Sequence, residues 1–513
     1  MNHNLYLQFQ THFDQQPDKV LMATLEGDTH TYGEVQNTAM KMVGVLRRLG
    51  VAQGDRVVVQ VEKSAQALML YLACLRAGAV YLPLNTAYTD NEVAYFLQDA
   101  EPRLVVCDPA RRDSHRALAE AHGVAHVETL GNDCSGSLMA QVADEAPDRT
   151  IAEMGADDLA AILYTSGTTG RSKGAMLSHR NLAANSQALV DTWQFTRDDH
   201  LLHALPIFHT HGLFVACNII LTAGASMTLL PGFDAQALLS LMPQATVLMG
   251  VPTFYTRLLD QPGLDRTSTA AMRLFISGSA PLLAETHREF HARTGHMILE
   301  RYGMTETNMN TSNPYEGERR PGTVGFALPG SEVRVVDRDS GAELPAGQNG
   351  LVEVRGPNVF QGYWRMPEKT REEFRADGFF ITGDLGMLDD DGYLHIVGRD
   401  KDLVISGGYN VYPKEIEQFI DELPGVRESA VIGVPHPDLG EGVAAAVVLN
   451  EGAEVTQEDI TSALAPHLAR YKQPRRVVFV DALPRNVMGK VQKNLLREAH
   501  ADLYQTGTAV HDK

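Results

Sequence analysis

Runs patterned like buried strands alternate with helix-patterned runs through the first 330 residues, and that rhythm leaves few folds open. Arg56–Val61 (RVVVQV) has the nearly unbroken apolar character of a strand covered on both faces. Ser64–Ala77 follows as a helix stopped by Gly78. Leu104–Cys107 and Arg112–Ala121 repeat the pair, as do Ala245–Gly250 with Pro252–Leu259 and Arg273–Ile276 with Leu283–Thr294. A strand–helix–strand–helix order predicts an α/β fold of parallel sheets covered by helices.

From Gly322 to about Ile396 the texture changes. Short β-type runs (Val333–Val336, Gly350–Val354, Tyr393–Val397) stand between Gly, Pro and Asp turns, which predicts a small antiparallel or barrel-like region. After Gly398 comes a compact α+β segment, with helices at Pro413–Asp421 and Thr456–Leu468 and strands at Glu428–Val434, Val443–Leu449 and Arg476–Val480. A chain of 513 residues exceeds what one core normally serves. We place the boundary near Asp400–Lys401, dividing it into residues 1–399 and 400–513.

The net charge of −20 argues against nucleic acid as a main partner, since such a face must neutralise phosphates. One stretch runs against the balance: between Pro466 and Arg497 eight Lys and Arg side chains stand beside a single acid, Asp481. Its bland reading is a solvated face, and its sharper one a seat for a small polyanion. Cys74, Cys107, Cys134 and Cys217 are scattered with no CxxC pair, as in a reduced compartment. The first residues lack a basic region followed by an apolar run, and Ala67–Leu75 is too short to span a bilayer. A cytoplasmic protein without a membrane partner is the expectation.

The strongest local signal is Tyr164–Gly174, YTSGTTGRSKG. Bare glycine N–H groups approach phosphate oxygens closely. Here Gly167, Gly170 and Gly174 alternate with the hydroxyls of Thr165, Ser166, Thr168, Thr169 and Ser172, and Lys173 adds a point charge. The GxxxxGK[ST] spacing of a P-loop is absent, and strand-like runs stand on both sides. This is a different phosphate clamp.

The string resembles the signature of the adenylate-forming superfamily, which includes acyl-CoA synthetases, luciferases and peptide-synthetase adenylation domains. Further matches follow in family order: YGMTET at Tyr302–Thr307, TGDLG at Thr382–Gly386, GRDKDLVISGGYNVYPKEIE at Gly398–Glu417 and PRNVMGK at Pro484–Lys490. The resemblance implies a large N-terminal domain of two helix-covered sheets plus a small β-barrel, and a mobile C-terminal domain. It also implies ATP and Mg2+, with coenzyme A as cosubstrate. Ser279, Ala280, Glu300 and Gly303 then join the Gly-rich loop around ATP. Tyr302 has a flat face for adenine. Glu306 is a natural Mg2+ ligand with Thr165 beside it, because Mg2+ favours one or two carboxylates plus phosphate oxygens. Thr305 suits the α-phosphate, Asp384 the ribose hydroxyls, and Arg399 the same sugar or a phosphate.

Lys490 matches the family's C-terminal lysine, a fixed cation where charge builds as pyrophosphate leaves. Asp400 and Lys401 match its hinge. The resemblance implies that the C-terminal domain first delivers Lys490 to acid and ATP. It then swings to present Gly407 and Gly408 to the pantetheine arm of coenzyme A. Related synthetases are switched off by acetylation of this lysine, which makes a protein acetyltransferase a candidate partner at Lys490.

The acyl pocket is more specific. Many members carry glycine before the tyrosine of YG[ML]TE, whereas this chain has Arg301. A guanidinium obstructs a fatty tail but clamps a second carboxylate. His209, in ALPIFHTHGLF, stands at a pocket-lining position, and Ser279 and Met304 complete the wall. Arg257 is a second candidate cation. The strings ALPIFHTHGLF, SGSAPL and ERYGMTETNMNTSNPY resemble the malonyl-CoA synthetase branch. That branch implies malonate as substrate, with methylmalonate tolerated, since one methyl group alters discrimination by only ~1–3 kcal/mol. The alternatives are a short- or medium-chain or aryl acyl-CoA ligase with Arg301 ion-paired to Glu300 or another acid, and an adenylation enzyme loading a carrier protein in trans.

Overall fold

The computed structural model describes residues 1–165, 172–407, 409–486 and 489–504. Helix Ala65–Ala77 shows how the sequence sets its own limits. The Ser64 side chain accepts from the Ala67 N–H at the start, and Gly78 closes the end at φ +72°. Every residue between is buried, as expected of a helix apolar on all sides.

Two large sheets carry the first part of the chain. The first has six strands in the order 126–129, 104–107, 56–60, 80–83, 159–165, 173–178. All its pairs are parallel except the last, the hairpin Leu159–Thr165 with Lys173–Ser178. The second has nine strands in the order 326–327, 308–312, 299–304, 274–277, 247–250, 200–203, 226–229, 20–24, 29–31. Its centre, from Leu299–Met304 to Val20–Thr24, is parallel, so the carboxyl ends of six neighbouring strands open on one edge. Ligands of α/β sheets settle at such edges.

The β-rich region that follows is a four-stranded antiparallel meander, 332–336, 350–355, 380–388 and 394–399, the antiparallel of the two forms expected for it. After it, strands 404–406, 409–411, 426–436 and 440–449 form an antiparallel sheet to which 476–479 adds in parallel. Helix Pro413–Asp421 packs on this sheet, and Val431, Val443, Ile416 and Ile420 lie in a core separate from the large one. Helix Gln457–Leu464 stops four residues short of the expected Leu468: Ala465 keeps helical backbone and still donates to the Thr461 carbonyl, but Pro466 has no N–H to continue the ladder. Among the described residues no helix is long and apolar enough to cross a membrane.

Candidate active site

Strand Leu299–Met304 divides its side chains between two sites, because successive residues point to opposite faces. Glu300 faces away from Arg301. Its carboxylate accepts from the Gly322 N–H at 3.3 Å and lies 3.8 Å from His287 Nδ1. Arg301 points the other way and is 3% exposed, with Nε and Nη2 buried and lacking hydrogen-bond partners. No ion pair to it exists among the described residues, which overturns the reading of Arg301 as a structural partner of Glu300. Burial pulls its pKa down to about 9. A bare guanidinium in this position calls for an anion from outside the protein.

The pocket around Arg301 is built from strand ends. After Leu274–Ser277 the chain turns through Gly278 and Ser279, and Ser279 adopts φ +71°, unusual for a residue with a side chain. A Cβ on Gly278 would lie 2.4 Å from Arg301 Cζ, so glycine is what lets the guanidinium cross the backbone. Ser279 Oγ meets His211 Nδ1 at 3.2 Å, and the Nε2 atoms of His211 and His209 are buried without partners. Burial, then Lys490, lowers His209 to about 4; burial, then Arg301, takes His211 well below its ordinary value. Both rings are neutral near pH 7 and present N–H or N lone pairs to a ligand. Among the described residues no group of three or more His, Cys, Asp or Glu side chains could hold a metal ion. Arg257 is a correction. It lies exposed on helix Pro252–Leu259 with its guanidinium 5.6 Å from the Phe233 ring centroid, while Tyr255 and Leu258 take the buried face.

The opposite wall is polar. Thr305 and Glu306 stand at the tip of the hairpin closed by Met304 and Asn308, and Gly303 fits there because a Cβ would strike the Asn308 carbonyl at 2.0 Å. Tyr302 donates its hydroxyl to Asp384 Oδ2 at 2.5 Å, and Arg399 Nε lies 2.6 Å from Asp384 Oδ1. Asp384 and Arg399 are direct partners in the meander, so pairing register sets this contact. Glu306 is 6% exposed and accepts from the Tyr363 hydroxyl at 3.0 Å; burial raises its pKa, against Tyr363, Arg399 and Lys173. Tyr363 also lies 2.9 Å from Glu373, and Lys173 pairs with Glu373 at 3.3 Å while sitting 4.1 Å from the Tyr363 ring centroid. Neither Tyr363 nor Glu373 stands in a motif, and only the fold brings them here. Thr165 ends the hairpin strand opposite Lys173. A buried carboxylate such as Glu306 fits Mg2+ that draws its other oxygens from phosphates and water. Ser166, Gly167, Thr168, Thr169 and Gly170 lie outside the described residues.

Lys490 joins the two walls. Its ammonium is open to water inside the cleft yet walled by protein. Its pKa is lowered by burial first and by Arg399 next, against Asp384 and Glu306, and Arg301 is also within electrostatic reach. The loop that carries it is closed by the bridge Arg485↔Val491 and by the Lys490 N–H donating to Asn486 Oδ1 at 3.0 Å. Asp400 pairs with Arg338 at 3.0 Å, and Lys401 follows it in the short turn Asp400–Asp402. Gly407 is exposed at φ +59°, and Gly408 lies outside the described residues. Ala280 and Met304 are half-buried beside the Ser279 turn and the hairpin tip.

Known proteins bear on this geometry. Residues 9–364 match the model of the AMP-binding enzymes, and 415–490 match that of the AMP-binding enzyme C-terminal domain. The mouse mitochondrial malonate–CoA ligase ACSF3 is 36% identical over 519 residues, covering 93% of this chain and 88% of its own. The crystal structure of ATP-bound MatB from Rhodopseudomonas palustris is 61% identical, covers 98% of this chain and 100% of its own, and superposes with a TM-score of 0.96. The apo form of that protein, with the same identity and coverage, gives 0.86. The chain belongs to the AMP-binding enzymes, among their AMP-forming acid–thiol ligases.

Proposed function

We propose that the protein is a malonate:CoA ligase, turning ATP, malonate and coenzyme A into malonyl-CoA, AMP and pyrophosphate through a malonyl adenylate. The observation that carries the substrate is the buried, unpartnered guanidinium of Arg301. It takes the distal carboxylate as a bidentate pair, with neutral His209 and the Ser279–His211 pair beside it. The relatives named malonate–CoA ligase and the likeness to MatB support the same reading.

The proximal carboxylate then attacks the α-phosphorus, and the bond to pyrophosphate breaks. Lys490 faces the carboxylate oxygen and the bridging oxygen, where negative charge grows. Tyr302 stacks on adenine, Asp384 and Arg399 hold the ribose, and Lys173 leaves Glu373 for a phosphate. Thr305 holds the α-phosphate, and Ser279, Ala280, Glu300 and Gly303 with residues 165–170 line the nucleotide. Glu306 and Thr165 would hold Mg2+, which neutralises the phosphates when bound. In the second half-reaction residues 400–513 rotate about Asp400 and Lys401, withdrawing Lys490. Gly407 and Gly408 then line the path of the thiol, whose sulfur attacks the carbonyl as AMP leaves. The superposition on an ATP-bound relative supports reading the present arrangement as the adenylating one. Acetylation of Lys490 by an acetyltransferase would block the first step alone.

The test is AMP release with ATP, Mg2+ and coenzyme A across malonate, methylmalonate, succinate, acetate, butyrate and benzoate. Malonate should lead, with methylmalonate behind it. A lead for acetate, butyrate or benzoate would overturn the malonate reading and keep the enzyme class.

A further inference from the structure

Behind the acyl pocket lies a half-buried lysine that the chemistry above does not use. Lys63 follows strand Arg56–Gln60 of the six-stranded sheet and precedes the cap of helix Ala65–Ala77. Its side chain crosses to the other large sheet. There Nζ donates to the His203 carbonyl at 2.6 Å and the Leu205 carbonyl at 2.9 Å, and lies 2.8 Å from His203 Nδ1. An ammonium has three donors and no acceptor, so all three are spent on one short segment. Burial pushes Lys63 down to about 7, and no carboxylate pairs with it among the described residues.

The network continues toward the substrate. With Nδ1 accepting from Lys63, His203 carries its proton on Nε2, which donates to the Gly212 carbonyl at 2.8 Å. Burial, then Lys63, takes His203 well below its ordinary pKa, in keeping with a neutral ring. Cys217 Sγ also donates to the Gly212 carbonyl at 3.2 Å. Gly212 in turn sits against Pro206, where a Cβ would lie 2.0 Å from the Pro206 carbonyl oxygen. The segment from His203 to Gly212 is therefore pinned at both ends and folded back on itself. His209 and His211 stand on it, and a wide π-type turn, His211–Cys217, carries it into helix Asn218–Ala223.

We propose that Lys63 is a positioning residue for acid recognition. Through His203 it braces the segment that holds His209 and His211 against Arg301, tying the two large sheets together behind the acyl pocket. It touches no substrate. Its effect falls mainly on the acid, because apart from Ser279 and Ala280 the proposed ATP contacts lie on the opposite wall. The inference rests on the malonate reading above.

Lys63→Met keeps the aliphatic stem and removes the donors. The expected result is a KM for malonate raised about tenfold or more, the scale of losing an outer-shell partner. The KM for ATP, and ATP affinity measured by calorimetry without malonate, should stay near wild type. His203→Leu should reproduce this result and serves if Lys63→Met does not fold. His203→Gln, which keeps an acceptor and a donor, should restore most of the malonate affinity. The double variant K63M/H203L should be no worse than either single one, because both break one chain of contacts. An unchanged malonate KM in the variants, equal rises for malonate and ATP, or additive effects would each overturn the proposal. Failure of the malonate reading is separately visible, because the wild-type enzyme would then not favour malonate.

Discussion

Gly278 lies directly beneath the guanidinium of Arg301, so near that a Cβ there would come within 2.6 Å of Cζ, Nε and Nη1 together. Glycine at 278 and arginine at 301 therefore act as one unit, the first clearing the space the second occupies. Gly278→Ala should displace the guanidinium and lower kcat/KM for malonate by about 10–100-fold, the range of a 1–3 kcal/mol overpacking cost. Steady-state kinetics with malonate varied at saturating ATP check this. An unaltered KM for malonate would mean that the charge adjusts without loss.

Arg301→Met removes the charge and keeps much of the volume. Malonate turnover should fall by an amount equivalent to roughly 2–5 kcal/mol, the cost of truncating one side of a desolvated charge pair. Propionate or butyrate should gain relative to malonate, because the buried cation no longer has to stay bare beside them. AMP release on both acids, compared as a ratio, decides the point.

Lys490→Ala separates the half-reactions. Adenylation, followed as pyrophosphate release, should drop by ~10²–10³-fold, as for removal of one charge-stabilising donor. Thioester formation from preformed malonyl adenylate should be much less affected. Equal loss in both steps would contradict a lysine that withdraws after the first.

Asp421 supplies a stability prediction. It is 9% exposed, accepts from Ser429 Oγ at 2.7 Å, and burial raises its pKa to about 6. A carboxyl raised in the folded state stabilises the fold below its unfolded pKa near 4 and loses that contribution as pH climbs through 6. Above that point the ionised group costs about 2–3 kcal/mol relative to its protonated form. Asp421→Asn should raise the melting temperature at pH 7.5 and leave it nearly unchanged at pH 4. Thermal melts at the two pH values check the sign.

Local structure was legible wherever local chemistry decided it. Leu104–Cys107, Arg112–Ala121, Pro252–Leu259 and Pro413–Asp421 occupy the residues that their patterning assigned. Thr456 caps its helix and Pro466 curtails it, a local signal that the expected end at Leu468 passed over. Long-range pairing was not legible. Val20–Thr24 lies parallel to Ser226–Leu229, some two hundred residues away, and nothing in either run names the other. The site divides the same way. Glu306, Asp384 and Lys490 sit in recognisable strings, but Tyr363, Glu373 and Lys63 have no flanking signature and gain meaning only from their neighbours in space. Arg257 misled because an arginine on the right helix was counted without its phase: Tyr255 and Leu258 occupy the inward face.

The bareness of Arg301 also bears on fidelity. Acetate is smaller than malonate, so no wall of this pocket can exclude it by size. On the proposed reading it is disfavoured because of what it leaves undone, since its methyl group offers nothing to the buried guanidinium. Against acids smaller than malonate such a filter penalises omission. Inert anions small enough to enter could supply the missing charge and so blunt the filter, which makes the accuracy of acid choice a property of the surrounding electrolyte as much as of the chain.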